Sequence, residues 1–338
     1  MAIIKVEDIA HVRFAAPDIQ LMREFLDDFG LSCFEDGGRL YGQGTDGRPF
    51  VHVTEPGPAK FLAVGLRASS IADLERLADH EGLTVEPFQE PGGGMVVRLT
   101  DPDGYCVEVV AGQKTEAPSP VLDPLFNSAA AKPRLRSAVR LTSAPAHVRR
   151  IGHAVLKVRD FRKSEAWWKE RFGFLTSDEI EAAKGVALGA FMRCDRGDLP
   201  SDHHTIFLAQ LPGDLGLLHA AFEVENLDDL MLGHDHLKSR QREAAWGVGR
   251  HIMGSQIFDY WKDPFGNELE HWTDGDLFTA DDPPTTQTMQ ALLAVQWGSP
   301  HPMFSGKVAP PPGLVAFITA MQLRIKRLVS NSSTEPTT

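Results

Sequence analysis

The sequence predicts an α+β fold built from two tandem βαβββ modules. Three blocks, each occurring twice in the same order, predict it. IAHVRFAAPDIQLMREFLDDFGL from Ile9 is matched by IGHAVLKVRDFRKSEAWWKERFGF from Ile151. AVGLRASSIADL from Ala63 is matched by HAAFEVENLDDL from His219, and DPDGYCVEVV from Asp101 by DPFGNELEHW from Asp263. One recurring block arises easily by chance; three in register mark a duplication.

In each first block an alternating apolar run reads as a strand. It reaches an aspartate, Asp18 or Asp160, and passes into a helical period that stops at Phe-Gly. Each second block is a strand running into a helix start capped near Ser70 or Asn226. Each third block is a DPxG turn and a strand, with Glu108 and Glu270 four residues beyond the glycine. The chain divides accordingly into a first domain, 1–112, a linker, 113–148, a second domain, 149–276, and an extension, 277–338, that belongs to neither repeat. The linker is rich in Pro, Ser and Ala, yet Val121–Phe126 and Ala138–Leu141 are apolar enough to pack on the second module. In the extension Leu314–Leu328 reads as an amphipathic helix and SNSSTEPTT as a disordered end.

The 338 residues, 42% apolar and 24% charged, suit a soluble two-domain protein. A net charge of −12 argues against nucleic acid and anionic membrane as partners and favours small molecules or proteins. The start carries no basic segment followed by an apolar run, and no stretch reaches the length of a membrane span, so a cytoplasmic protein is expected. Cys33, Cys106 and Cys194 are widely spaced and odd in number, which reads as reduced thiols.

The two copies serve as an internal control, because a residue lost from one of them is not required by the shared fold. Both copies keep the first histidine (His11, His153) and the glutamate (Glu108, Glu270), but His219 faces Ala63. The second copy thus offers two imidazoles and a carboxylate from three strands. That donor set suits non-haem Fe(II), and zinc or manganese fit the same atoms. In the DPFGNELEHW strand, alternation puts Glu268 and Glu270 on one face and His271 on the other. The repeat then favours Glu270, which matches Glu108, over Glu268, which matches Cys106. Each of these residues also has a plain structural reading, as a strand histidine satisfied within a core or a glutamate at a solvated strand end.

The duplicated module, the IGH strand, LLHAAF and DPxGNxxE together resemble the vicinal oxygen chelate superfamily over roughly residues 5 to 275. More narrowly, GRHIMGSQIFDYWKDPFGNELEHWTDGD from Gly249 is similar to the type I extradiol ring-cleavage dioxygenases. In that pattern a histidine follows Gly-Arg, a tyrosine comes nine residues later and the metal glutamate ten after that, as His251, Tyr260 and Glu270 do. The sister copy has Gln89 and Arg98 at the positions aligned with His251 and Tyr260.

The resemblance implies two vicinal-oxygen-chelate barrel-like domains, the first without metal. It implies Fe(II), with Mn(II) as the alternative, held by His153, His219 and Glu270, and insertion of both atoms of O2 into a catechol-like diol with ring opening. His204 in SDHHTIFLAQ would handle protons, with His203 as its substitute, while His251 and Tyr260 would hydrogen-bond substrate oxygens. Homo-oligomers are usual in the family. Val155 and Glu268 stand where polar or basic residues occur in relatives, which disfavours a strongly anionic substrate, and the tryptophans suit a bulky ring. Two other classes stay open: a glyoxalase-like isomerase or transferase, and a metal-free protein that binds an aromatic ligand.

Overall fold

The computed structural model describes residues 2–121 and 125–302. In the first module β1 (Val6–Ala16), α1 (Ile19–Phe29), β2 (Ser32–Asp36), β3 (Arg39–Gln43) and β4 (His52–Pro56) form one βαβββ unit. A second follows as β5 (Lys60–Ala68), α2 (Ile71–Glu81), β6 (Glu86–Pro87), β7 (Met95–Thr100) and β8 (Cys106–Ala111). They share an eight-stranded sheet in the order β2-β3-β4-β1-β5-β8-β7-β6. Each module therefore contains the motif twice, joined side by side through antiparallel β1 and β5.

The second module repeats the plan with β9 (Val148–Lys157), α3 (Phe161–Phe172), β10 (Leu175–Ala183), β11 (Val186–Arg193), a short β12 (Ser201–Asp202) and β13 (Ile206–Ala209). Its other half is β14 (Leu217–Val224), α4 (Leu227–Ser239), β15 (Glu243–His251), β16 (Ile257–Lys262) and β17 (Glu268–Thr273). The extension then contributes β18 (Leu277–Phe278), β19 (Thr285–Thr288), α5 (Met289–Leu292) and β20 (Val295–Gly298).

The caps explain why the helices begin and end where they do. Asp18 accepts the Leu21 N–H at 2.9 Å and Asp160 that of Lys163 at 3.1 Å, while Gly30 and Gly173 close the same helices in the left-handed region. Ser70 and Asn226 cap α2 and α4 in the same way. In the DPxG turns, Asp101 and Asp263 each accept two N–H groups of their own loop, and Gly104 and Gly266 take positive φ.

The extension belongs to the second sheet, which it lengthens to ten strands. β19 lies parallel to β10 at one edge, and β20 antiparallel to β15 at the other. Both edges that would otherwise offer unpaired backbone are thereby covered. The helix expected at Leu314–Leu328 and the polar end lie outside the described residues. The linker behaves differently from expectation: the described residues among 113–147 contain no helix or strand, and Leu125, Phe126 and Leu141 are exposed. Their apolar runs are short and broken by Pro, Arg and Ser, so they present no periodic face to bury. Residues 122–124 of the first run are outside the described residues.

One apolar core runs through both modules, taking Ile9, Phe14 and Leu66 from the first and Ile151, Trp168 and Phe222 from the second. A polar joint fastens them beside it. Buried Asp28 of α1 accepts from Arg240 at 3.0 Å, Arg242 at 2.5 Å and His236 at 3.1 Å. His271, on the core face of β17 as alternation requires, donates from Nε2 to the Phe29 carbonyl at 2.7 Å and stacks on the Phe29 ring. Removing a buried ion while its partners remain typically costs about 3 kcal/mol, so Asp28→Ala should lower the unfolding free energy by about that much in a denaturant titration.

Candidate metal centre

Strand register assembles the candidate donors. β14 runs between β9 and β17, with Ala221 opposite His153 on one side and Glu270 on the other. Tyr260 of β16 extends the same row beyond Glu270. His219 stands two residues earlier on β14, hence on the same face, opposite Val155. A β-bulge in β9 falls at Gly152, where a Cβ would come within 2.5 Å of the Trp272 indole. The glycine of the IGH run thus leaves room for the Trp272 indole beside the bulge that precedes His153.

The three donors meet closely. His153 Nε2 lies 3.2 Å and His219 Nε2 3.4 Å from Glu270 Oε2, and the two imidazole nitrogens are 3.3 Å apart. Three donors about 2.2 Å from one ion at right angles stand about 3.1 Å from each other, close to this spacing. Among the described residues this is the one group of three or more such side chains close enough to hold a metal. Glu270 has no solvent exposure, and neither of its oxygens has a hydrogen bond. Burial pushes its carboxyl up, but the imidazoles facing it, His153 and His251 foremost, hold it below the ordinary carboxylate range. Those nitrogens attract it without donating well. Burial also drives His219 down to about 3, against the pull of Glu270, so its ring is neutral and carries the lone pair a metal takes. A divalent cation is what these donors fit.

The remaining predicted residues surround this point. Tyr260 OH and His251 Nε2 are 3.0 Å apart, and His251 Nε2 is 3.6 Å from Glu270 Oε1. Burial, then the Glu270 charge, keeps the Tyr260 hydroxyl well above its usual pKa and therefore protonated. His204 is buried with its ring 4.0 Å from that of His153. Burial and the neighbouring imidazoles hold it well below the ordinary histidine range. His203 points away from the donors toward Asp178, with Nε2 and Oδ2 2.7 Å apart. Beside the site Val155, Phe191, Phe207 and Met253 form an apolar cluster joined by Met289 and Leu292 of α5. A polar cleft of about 770 Å³, lined by Arg162, Glu165, Lys169, Glu179 and Arg193, includes none of the donors.

The first module shows the same row filled by protein. Gly65 replaces Ala221 between His11 and Glu108, and a Cβ there would lie 2.3 Å from the His11 ring. Without that methyl, His11 reaches Glu108 directly, Nε2 to Oε2, at 2.8 Å. Arg13, opposite Ala63, donates to Glu108 at 3.1 Å and to Glu90 at 2.9 Å. Arg98, in the Tyr260 position, donates to Glu108 at 3.0 Å. The register corrects one sequence match: His251 corresponds to Phe88, not Gln89, because the connection between the paired Pro87 and Met95 is one residue longer than that between the paired Arg250 and Ile257. Phe88 is buried and stacks on His11. The exchange of Ala221 for Gly65 was visible in the paired blocks; the part played by Arg13 was not, since charge alone does not say which way an arginine on a strand points.

Among known proteins, residues 150–271 match the family model described as the Glyoxalase/Bleomycin resistance protein/Dioxygenase superfamily. The chain is 26% identical over 303 residues to Metapyrocatechase 2 of Cupriavidus necator, covering 88% of this chain and 91% of that protein. It is 24% identical over 305 residues to the Iron-dependent extradiol dioxygenase of Rhodococcus jostii strain RHA1, covering 80% and 90%. Among solved structures it resembles the Mn(II)-bound glyoxalase from Novosphingobium aromaticivorans, with a TM-score of 0.72, 24% identity and coverage of 92% and 97%. At that identity the last likeness speaks for the fold alone.

Arg13 supplies positive charge to two buried glutamates, and loss of a buried partner of this kind costs about 3–5 kcal/mol. Arg13→Leu should therefore lose roughly that much stability while metal content, measured by mass spectrometry, stays at the wild-type level. Burial pushes Glu108 up, but His11, Arg13 and Arg98 outweigh it and depress its folded pKa below 4.5. Its contribution to stability is complete above that value and declines as the pH falls. Glu108→Gln should remove that part of the acid dependence in denaturation curves.

Proposed function

We propose that this chain, whose residues 150–271 match the Glyoxalase/Bleomycin resistance protein/Dioxygenase superfamily, is an extradiol ring-cleavage dioxygenase inserting both atoms of O2 into a catechol-like diol. The observation that carries this reading is the complete polar set on one face of the second sheet. His153, His219 and Glu270 hold the metal, and His204, His251 and Tyr260 surround it. The names of the relatives support the same activity.

Fe(II) is the proposed ion, with Mn(II) as the alternative occupant of the same donors. Bound there, the metal would supply a centre that chelates the two adjacent diol oxygens and a path for electron density from ring to oxygen. The protein residues do the rest. Glu270 is the sole anionic ligand, so a diolate adds charge that the site can accept. The protonated Tyr260 hydroxyl and His251 Nε2 form a hydrogen-bonded pair that orients substrate oxygens. Neutral His204 accepts a diol proton, and later returns it to an oxygen that has gained charge.

The apolar cluster of Val155, Phe191, Phe207 and Met253 seats the ring and keeps water from it. Glu268, half-buried nearby on the site face, repels a carboxylated substrate. A bulky uncharged catechol is the proposed class. Among the described residues no helix is long and apolar enough to cross a membrane. The reading places the enzyme in the cytoplasm as a homo-oligomer, with no nucleic-acid or membrane partner.

The test is anaerobic loading with Fe(II), then a panel of catechols followed by oxygen uptake and the absorbance of ring-opened product. Oxygen consumed one for one with catechol, favouring aryl- or alkyl-substituted over carboxylated rings, is expected; retention of iron without ring opening on any diol would overturn the reading. Tyr260→Phe should keep its iron and lose about 100-fold in kcat, a loss in the range of one positioned proton-transfer or hydrogen-bonding group. Anaerobic iron assay and initial rates measure both.

A further inference from the structure

His204 does not stand alone behind the metal donors. Its Nδ1 is 3.0 Å from Nδ1 of His203, whose Nε2 is 2.7 Å from Asp178 Oδ2. Asp178 Oδ1 in turn accepts a hydrogen bond from the Thr285 hydroxyl. Asp178 lies on β10 and Thr285 directly opposite it on β19, the strand that the extension adds. Both histidines and Asp178 are buried. The His203 backbone is pinned as well: its N–H donates to the Asp276 carbonyl at 3.0 Å, and its carbonyl accepts the Ser177 hydroxyl at 2.6 Å.

The direction of this chain follows from what each group can donate. An ionised carboxylate only accepts, so His203 carries its proton on Nε2. A neutral His203 then presents a lone pair at Nδ1, and His204 must supply the proton between the two Nδ1 atoms. That leaves His204 Nε2 with its lone pair. Burial raises the Asp178 carboxyl, but the bonds from His203 and Thr285 outweigh it and keep the group ionised.

We propose that Thr285, Asp178 and His203 are positioning residues that fix His204 in one orientation and one tautomer, with the proton on Nδ1 and the lone pair on Nε2. The C-terminal extension thereby takes part in preparing the site, through β19. His204 can accept a diol proton only at Nε2, since Nδ1 is committed, and the positive charge it gains is balanced through His203 by Asp178. The catalytic meaning of this arrangement rests on the dioxygenase reading; the tautomer itself does not.

The tautomer is read from two-bond ¹H–¹⁵N correlations on the ¹⁵N-labelled, metal-free protein, with the His204 signals identified by their loss in His204→Gln. Wild type should show His204 protonated at Nδ1 and bare at Nε2, whereas His203→Leu and Asp178→Ala should show mixed tautomers. In turnover of a catechol by the iron-loaded enzyme, His203→Leu should lose about 100-fold in kcat, as expected when a base is left unaligned. KM and iron content should stay within about twofold, a pattern that marks loss in the transition state rather than in binding. His203→Asn, whose Oδ1 can accept where Nδ1 did, should recover to within about 10-fold of wild type. A wild-type His204 protonated at Nε2 would overturn the proposal, as would unchanged kcat in His203→Leu, or a loss that follows iron content and Tm and is not recovered by asparagine. If wild type opens no diol ring, the dioxygenase reading falls, and the ¹⁵N result still decides the tautomer.

Discussion

The rest of the structure is arranged around one carboxylate. Glu270 is wholly buried, lies beside three imidazoles and has no hydrogen bond to either oxygen. A buried charge in this state is costly unless something positive stands against it. His219 is a poor candidate for that charge, because burial drives it to the neutral form. A divalent cation meets the demand at the point where the three donors converge. The same demand explains why the surrounding strands hold these positions in register, since a one-residue slip of β17 would send Glu270 into the core and His271 to the site face.

The first module shows the same problem solved without a metal. Its glutamate, Glu108, receives Arg13, Arg98 and His11 in the space a cation would occupy. Gly65 lets the histidine ring settle against the carboxylate, and Phe88 packs over it. The difference between a metal centre and a sealed ion cluster thus comes down to a few side chains on one sheet face: Ala221 for Gly65, His219 for Ala63, Val155 for Arg13 and Tyr260 for Arg98. His11 and Glu108 pair directly within the first sheet, which gives this histidine and glutamate a structural role.

Much of this was legible in the sequence because repetition supplies a second observation of each position. The caps at Asp18, Asp160, Ser70 and Asn226, the DPxG turns and the opposite facing of Glu270 and His271 follow from local chemistry and strand alternation. The convergence of His153, His219 and Glu270 could be suspected from the repeat, but their spacing depends on sheet order. Two things were not legible. The pairing of residues 285–288 with β10 depends on a contact more than a hundred residues away in the chain, and nothing in TTQT signals it. The separate orientations of His203 and His204 depend on Asp178, which sits among the alternating residues of an unremarkable strand. The one-residue slip at Gln89 arose in a hairpin loop, where sequence carries the weakest register information.

The central claim is that a metal ion balances the charge of Glu270, and calorimetry of metal-free and Mn(II)-loaded protein tests it most directly. Mn(II) at about a hundred times its Kd should stabilise the fold by about 2.7 kcal/mol and raise Tm by roughly 4 °C. The rise should persist in His11→Ala, with one ion bound per chain, and vanish in Glu270→Ala. No shift in wild type, or an equal shift in Glu270→Ala, would contradict the account.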